Sequence, residues 1–328
     1  MSVVLGVDGG GTKTHVLVAD VSGRVLGSGT GGPSNWEDVG IVGAGETLRA
    51  AVLEAIQEAG VPPADVVGCV FGLAGMDWDD DHRRMHSLPD SFAFGGPSDV
   101  VNDSFVALRA GASHAWGVVV IAGTGAIAGG RNRDGTTFRT LGLGAAYGDF
   151  GSASDVSEEG VRAVAEWATG KGPPTALSDA MCAQSGSGSV LQVLEELSRG
   201  RLDATQFGPL VVRVASQGDE VARAILERAG DSLGRSAGAV VRRLEMQDDE
   251  FEIVLSGGML RGESHIVRDR VEAVLRPLAP RATFVRLRTA PVVGAVLLAM
   301  EVAGLPIEAG LHEHLAEDAI ERFQLDPA

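Results

Sequence analysis

The sequence contains only two cysteines, Cys69 and Cys182, and aromatic residues make up 5% of its 328 residues. Two cysteines so far apart provide neither a disulfide framework nor the closely spaced pairs of a structural zinc site. Basic residues are also scarce, since 27 Lys and Arg face 44 Asp and Glu, which gives a formal net charge of −17. A strong negative field disfavours nucleic acids and anionic membranes, so we expect neither as a partner.

No apolar stretch reaches the length of about 18 residues that suggests a membrane-spanning helix, and no signal peptide is recognisable. We therefore expect a cytoplasmic protein. Glycine, in contrast, is abundant at 46 residues, and 45% of the chain is hydrophobic. This composition is typical of a globular protein with many backbone-driven turns, and the chain is long enough for two domains of ordinary size.

The chain opens on two apolar segments, 3–7 and 14–20, joined by a turn that contains three consecutive glycines. The pattern predicts a β-hairpin whose turn is nearly free of side chains. Glycines there can take positive φ and leave their N–H groups open, which suits a loop that cradles phosphate oxygens. Asp8 ends the first strand and could hold a hydrated Mg²⁺, while Thr12 and Lys13 could supply a hydroxyl and a charge. An ordinary glycine-rich hairpin is the alternative.

Strands and helices then alternate, which is typical of an α/β fold. The sequence predicts an amphipathic helix at 46–59, a buried strand at 66–71, and a short strand at 99–101. The last of these places Asn102 and Asp103 at its carboxyl end, where α/β sheets carry ligand sites. Asp103 could instead cap the helix that follows it.

A second apolar strand, 117–122, runs into Gly123-Thr124-Gly125 and a further strand, which repeats the pattern of the first hairpin. The segment also fits the G-x-G-x-x-A fingerprint of dinucleotide-binding folds, but that fingerprint requires a helix directly after the turn. Glycines at 129 and 130 interrupt the chain too early for such a helix, so a hairpin is favoured. A third strand, 252–255, runs into Ser256-Gly257-Gly258, and the repetition predicts two related α/β halves. Further helices are predicted at 158–168, 220–244 and 291–303, and a further strand at 282–287.

Five motifs occur in the order seen in the superfamily of sugar kinases, actin and Hsp70. They are Asp8 to Lys13, Asn102-Asp103, Ala122 to Gly125, Gly148 to Ala153, and Ser256 to Gly258. Within that superfamily the sequence resembles the BadF/BadG/BcrA/BcrD ATPase family from Val3 to about Leu298, and most closely its N-acetylglucosamine kinase members. The resemblance implies two duplicated ribonuclease H-like (actin-like) α/β domains with a cleft between them. The N-terminal domain would comprise residues 1–115 and 290–328, with the C-terminal helix returning to it, and the C-terminal domain residues 116–289.

The resemblance also implies an activity, namely in-line transfer of the γ-phosphoryl group of ATP to a sugar hydroxyl, such as N-acetylglucosamine to its 6-phosphate. Asp103 would accept the proton of the attacking hydroxyl, and Asp8 would hold Mg²⁺ through water. The implied ATP-binding residues are Gly10, Gly11, Thr12, Lys13, Gly123, Thr124, Gly125, Gly257 and Gly258. The implied sugar-binding residues are Asn35, Asp103, Gly142, Leu143, Gly144 and Asp149. A homodimer is expected.

Two departures from the family pattern fall on the sugar side. Leu143 stands where these kinases often have a bulky aromatic residue, and Ala126-Ile127 where some place polar residues. Glucosamine or another hexosamine therefore stays an alternative substrate. An ATPase activator of a radical dehydratase is a second alternative, disfavoured because Ile121-Ala122, and not a cluster-binding cysteine, precedes the second glycine turn. A sugar-binding regulator without turnover is a third, and the presence of Asp103 argues against it.

Overall fold

Two five-stranded sheets form the centre of the structure, a computed structural model that describes residues 1–262 and 264–324. The strands of the first sheet are β1 (Val3–Gly9), β2 (Thr14–Asp20), β3 (Val25–Gly31), β4 (Val66–Leu73) and β5 (Ser98–Asn102). Those of the second are β6 (Gly117–Ala122), β7 (Ala126–Arg131), β8 (Thr137–Arg139), β9 (Glu252–Ser256) and β10 (Thr283–Arg286).

Helices cover the faces of both sheets. They are α1 (Trp36–Ala59), α2 (Asp79–Met85), α3 (Asp103–Gly111), α4 (Ala153–Ala168), α5 (Leu177–Ser185), α6 (Val190–Ser198), α7 (Gly208–Ser216), α8 (Glu220–Arg243), α9 (Gly258–Arg261), α10 (Ile266–Leu275), α11 (Pro291–Val302) and α12 (Leu311–Phe323). Within the described residues, no helix has the length and apolarity needed to cross a membrane.

The two sheets share one topology. The first has the strand order β3-β2-β1-β4-β5, and the second, read from its β8 edge, has the order β8-β7-β6-β9-β10. In each, the first strand pairs antiparallel with the second and parallel with the fourth. The predicted fold class of two duplicated α/β halves is confirmed.

Strand β1 is apolar from Val3 to Val7 because helices cover both of its faces. Leu5 lies in a core cluster with Leu48 and Val52 of α1. Val4, which points the opposite way, lies in a cluster with residues of α11 and α12. The last helices of the chain therefore complete the core of the first sheet.

Helices α3 and α11 pack closely against each other between the sheets. A side chain on Gly294 of α11 would place its Cβ 1.9 Å from the carbonyl oxygen of Val106 in α3. On its other side, α3 contributes Leu108 to a cluster with Val119 and Val254 of the second sheet. The packing of α11 against α3 supports our proposal that residues 1–115 and 290–328 form one domain and residues 116–289 the other, although 325–328 lie outside the described residues.

Two helices begin earlier than the sequence pattern predicts. Helix α1 begins at Trp36 and not at 46. Its buried residues start only at Ala44, and the helix is kinked at Gly40, whose φ is 73°, so the sequence pattern does not reveal its first turns. Helix α4 begins at Ala153 and not at 158, because Ser152 and Asp155 form a capping box at its start.

Candidate active site

The first glycine turn joins β1 to β2, as predicted, and the N–H of Gly10 donates to the carbonyl of Lys13 at 3.0 Å. None of its three glycines uses the positive φ that glycine allows. Gly9 is required by packing, since a Cβ there would lie 2.6 Å from Ser34 Oγ. Gly11, Thr12 and Lys13 are exposed, so their backbone and side chains are open to a ligand.

The second and third glycine junctions touch each other at the carboxyl ends of β6 and β9. The N–H of Gly123 donates to the carbonyl of Gly125 at 2.9 Å, and the carbonyl of Gly123 accepts from Ala153 at 2.8 Å. Gly257 has a φ of 90°, and a Cβ on it would lie 2.2 Å from the Ala122 carbonyl oxygen. Only glycine fits there, so the chain from Ser256 to Gly258 stays against the second turn; Thr124 and Gly125 are exposed beside it.

Three aspartates lie at the carboxyl ends of adjacent parallel strands of the first sheet: Asp8 is the penultimate residue of β1, Asp77 lies after β4 and Asp103 directly follows β5. Burial raises the pKa of Asp8 from 3.8 to about 7; the charge of Asp103 raises it further, and Lys13 opposes the shift. Burial likewise raises the pKa of Asp103 to about 6; the charge of Asp77 adds to this, while the Ser104 N–H and Arg139 oppose it. A carboxylate with such a pKa can accept a proton near neutral pH.

Helix capping does not account for Asp103. The N-cap of α3 is Asn102, whose Oδ1 accepts from the backbone N–H of Ser104 at 3.1 Å and from its hydroxyl at 2.5 Å. Asp103 is the first residue of the helix itself. Its carboxylate therefore remains available for another purpose.

Asn35 caps α1, whose first turn contacts the loop that follows β4. Its Oδ1 accepts from the N–H of Glu37 at 3.2 Å, and its Nδ2 donates to Asp38 at 2.9 Å. Trp36 Nε1 donates to the carbonyl of Gly75 at 2.7 Å, which fixes the start of α1 to that loop. Asn35 thus lies close to the segment that carries Asp77.

The segment from Gly142 to Gly144 is a loop held by Asp149. The Oδ2 atom of Asp149 accepts from the N–H of Gly142 at 2.8 Å and from that of Leu143 at 3.2 Å. Both glycines have positive φ, 71° at Gly142 and 85° at Gly144, which favours glycine at each position. Asp149 is buried, so its visible function is to shape this loop.

Two residues of the site were missed by the sequence analysis. Arg139 of β8 pairs with Asp77, with 3.0 Å between Nη2 and Oδ1. Asp77 could have been noticed, since it follows the buried strand β4 much as Asp103 follows β5. Arg139 gave no signal, because a strand of three residues has no recognisable period.

The residues around Asp8 fit a divalent cation that is held mainly by phosphates and water. The raised pKa of Asp8 reflects a buried carboxylate whose neighbour Asp103 has the same sign, and added positive charge would relieve that repulsion. Among residues 1–262 and 264–324, no three His, Cys, Asp or Glu side chains gather to hold a metal by themselves. Mg²⁺ commonly binds through one or two carboxylates, substrate phosphates and water.

The cysteines lie away from the glycine turns. Cys69 is fully buried in β4, where burial raises the pKa of its thiol, and Cys182 is half-buried in α5. This placement gives no support to a cluster-binding activator.

The chain matches the model of the BadF/BadG/BcrA/BcrD ATPase family over residues 5–299. It is 28% identical over 302 residues to the N-acetylmuramic acid/N-acetylglucosamine kinase of Clostridium acetobutylicum, covering 91% of this chain and 98% of that protein. It is 29% identical over 322 residues to the N-acetyl-D-glucosamine kinase of Dictyostelium discoideum, with the same coverage.

A crystal structure from Chromobacterium violaceum, described provisionally as an N-acetylglucosamine kinase, has the same fold. Its TM-score is 0.69 at 25% sequence identity, and the match covers 91% of this chain and 99% of that one. Together with the repeated sheet, this likeness confirms the predicted two-domain architecture.

Proposed function

This chain belongs to the BadF/BadG/BcrA/BcrD ATPase family, and from that premise we propose that it is an ATP-dependent kinase of amino sugars, with N-acetylglucosamine as the expected substrate. The observation that carries the proposal is Asp103, a carboxylate with a raised pKa that does not serve as a helix cap. The two curated relatives named as N-acetylglucosamine kinases support the sugar.

ATP would lie along the three glycine junctions. The exposed residues Gly11, Thr12 and Lys13, with Gly10 beside them, would bind phosphate oxygens, since open N–H groups and a positive charge suit an anion. Gly123, Thr124 and Gly125 would bind the phosphates from the other sheet, and Gly257 and Gly258 would lie against the adenosine. These assignments rest on the exposure of the turns and on the resemblance.

The sugar would lie between Asn35, Asp149 and the 142–144 loop, with the hydroxyl that attacks directed at Asp103. A hydroxyl is a weak nucleophile at neutral pH, so Asp103 accepts its proton as the new oxygen–phosphorus bond forms. ADP leaves, and when the attacking oxygen is O6 the product is the 6-phosphate. When bound, Mg²⁺ would be held near Asp8 and would supply neutralisation of the phosphate charge.

A screen of ADP release tests the proposal. The chain is supplied with Mg-ATP and, separately, with N-acetylglucosamine, glucosamine, N-acetylmannosamine, glucose and N-acetylmuramic acid. Turnover with N-acetylglucosamine supports it, and turnover only with glucosamine favours a hexosamine kinase. If none of the sugars stimulates ADP release, the proposal is contradicted. A homodimer and a cytoplasmic location stay predictions.

We expect kcat/KM for the sugar to fall as the pH drops below about 6. Asp103 accepts a proton only as the carboxylate, and its pKa of about 6 lies above the ordinary 3.8. Protonation below pH 6 therefore removes the base, and kcat/KM should fall about tenfold for each pH unit below that pKa. A pH profile at saturating Mg-ATP checks this, and activity that stays constant down to pH 4.5 would contradict it.

Leu143 should make the sugar pocket tolerant. A leucine in place of a bulkier aromatic side chain leaves one wall less complete, and a methylene-sized contact is worth only about 1–3 kcal/mol. We expect measurable rates with amino sugars related to N-acetylglucosamine, and sharper discrimination in Leu143→Trp. Ratios of kcat/KM across the sugars measure it, and strict rejection of every sugar but one by the wild type would count against it.

A further inference from the structure

We propose that Arg139 is a positioning residue, whose guanidinium joins the 142–144 loop to the segment after β4 that lies beside the base, across the cleft between the two sheets. The inference rests on the proposed function, because it takes the 142–144 loop as the sugar-binding loop and Asp103 as the base. The guanidinium of Arg139 would lie between the two. Arg139 belongs to β8 in the second sheet, and its partner Asp77 follows β4 in the first.

One guanidinium binds both sides at once. Nη1 donates to the carbonyl of Thr140 at 3.0 Å and to that of Leu141 at 3.2 Å, directly before the loop. Nη2 donates to the carbonyl of Met76 at 3.2 Å and lies 3.0 Å from Asp77 Oδ1. The planar fork of arginine can make these bonds together, whereas a lysine ammonium offers one point of attachment.

On the loop side, hydrogen bonds hold both the carbonyl and the N–H groups of the backbone. Arg139 donates to the carbonyls of Thr140 and Leu141, and Asp149 accepts from the N–H groups of Gly142 and Leu143. Because two fixed side chains bind opposite groups of consecutive residues, the loop has little freedom to shift.

On the base side, the contacts continue to the start of α3. Asn102 Nδ2 lies 3.5 Å from Asp77 Oδ1, a long contact, and Asn102 Oδ1 caps the helix that begins with Asp103. Asp81 holds the backbone of the same segment, since its Oδ2 accepts from the N–H of Asp77 at 3.0 Å. A displacement of Arg139 is thereby passed to the residues next to the base.

Arg139 and Asp77 are each only 13% exposed, and Glu37, Asp81 and Asp103 add negative charge around Asp77. Removing one member of such a pair leaves the other charge without compensation in a poorly solvated place. Removing both the Arg139 and the Asp77 charge should therefore disturb the site no more than removing one of them.

The test is a double-mutant cycle on the full chain, with Arg139→Gln, Asp77→Asn and their combination. We expect each single variant to lose kcat roughly 10–100-fold, because misplacement of about 1 Å can cost that much, while KM for ATP stays unchanged. The combined variant should lose no more than the worse single one. Arg133→Gln is the matched control. Arg133 lies in the loop between β7 and β8, and its Cζ lies over the Trp116 ring, 4.3 Å from the ring centroid.

Wild-type kcat in Arg139→Gln, or losses that multiply in the combined variant, would overturn the inference. If Arg139→Gln does not fold, Arg139→Lys takes its place: a native melt with at least tenfold lower kcat supports the fork, and wild-type kcat overturns it. A wild-type chain that phosphorylates no amino sugar would overturn the proposed function and this inference together. Wild-type turnover with an unaffected Arg139→Gln would overturn only this inference.

Discussion

Replacing Asp103 by asparagine should lower kcat by roughly 10²–10⁴-fold and leave the fold intact. The amide keeps the shape of the carboxylate and can still bind a hydroxyl, but it cannot accept a proton. Stability should change little, because Asn102 and not Asp103 caps α3. The raised pKa of Asp103 also means that its ionised form is disfavoured in the folded protein, so removing that charge relieves a cost.

Steady-state ADP release, a thermal melt and ATP binding, all on one preparation, separate the possibilities. Asp99→Asn is the matched control, since Asp99 lies on β5, the strand that directly precedes Asp103, is exposed, and accepts a hydrogen bond from the N–H of its neighbour Val100 at 2.8 Å. A folded Asp103→Asn variant with near-normal kcat would remove Asp103 from the mechanism and direct attention to Asp149.

The second large effect concerns stability. Gly294→Ala should lower the free energy of unfolding by about 3 kcal/mol, because overpacking between rigid elements is costly. The new Cβ would lie 1.9 Å from the Val106 carbonyl oxygen and 2.6 Å from the Ala110 backbone nitrogen. Neither backbone atom can turn aside as a side chain could, so α3 and α11 must separate.

Gly45→Ala provides the comparison of opposite sign. Gly45 is also inside a helix, but apart from its chain neighbours and the backbone of its own helical turns, no atom of the described residues lies within 4 Å of a Cβ placed there. Alanine should stabilise that position by about 0.4–1 kcal/mol, because it restricts the unfolded chain. Urea unfolding of both variants measures the two effects. A Gly294→Ala variant as stable as Gly45→Ala would show that the two helices tolerate separation.

The sequence predicts the strands well and the contacts across the cleft poorly. Strand β1 was recognisable because burial on both faces demands an unbroken apolar run. Asp103 was recognisable because it directly follows a short strand, at the carboxyl end where α/β sheets carry ligand sites. Whether it caps α3 could not be decided from the sequence, since Asn102 and Asp103 are both good caps and only the structure shows which one is used.

Local patterns also misplace elements that depend on distant partners. The start of α1 at Trp36 is fixed by the bond from its indole to Gly75, a residue far along the chain. The three glycines of the first turn allow positive φ, but none uses it, and Gly9 is required by its neighbours Ser34 and Leu73. Arg139 and Asp77 meet only after both sheets have formed, so neither side chain carries a local sign of the pairing.

The return of α11 and α12 to the first sheet has a consequence for synthesis on the ribosome. Val4, Leu17 and Val70 form a face of that sheet whose cover includes Val293 and Leu297, which are translated much later. The nascent chain must carry this apolar face unprotected while the whole second sheet is made. The second sheet and its helices form an uninterrupted stretch of chain, so the half that is translated later can complete its core first. A ribosome that stalls before Pro291 would release an exposed apolar surface of the kind that chaperones bind.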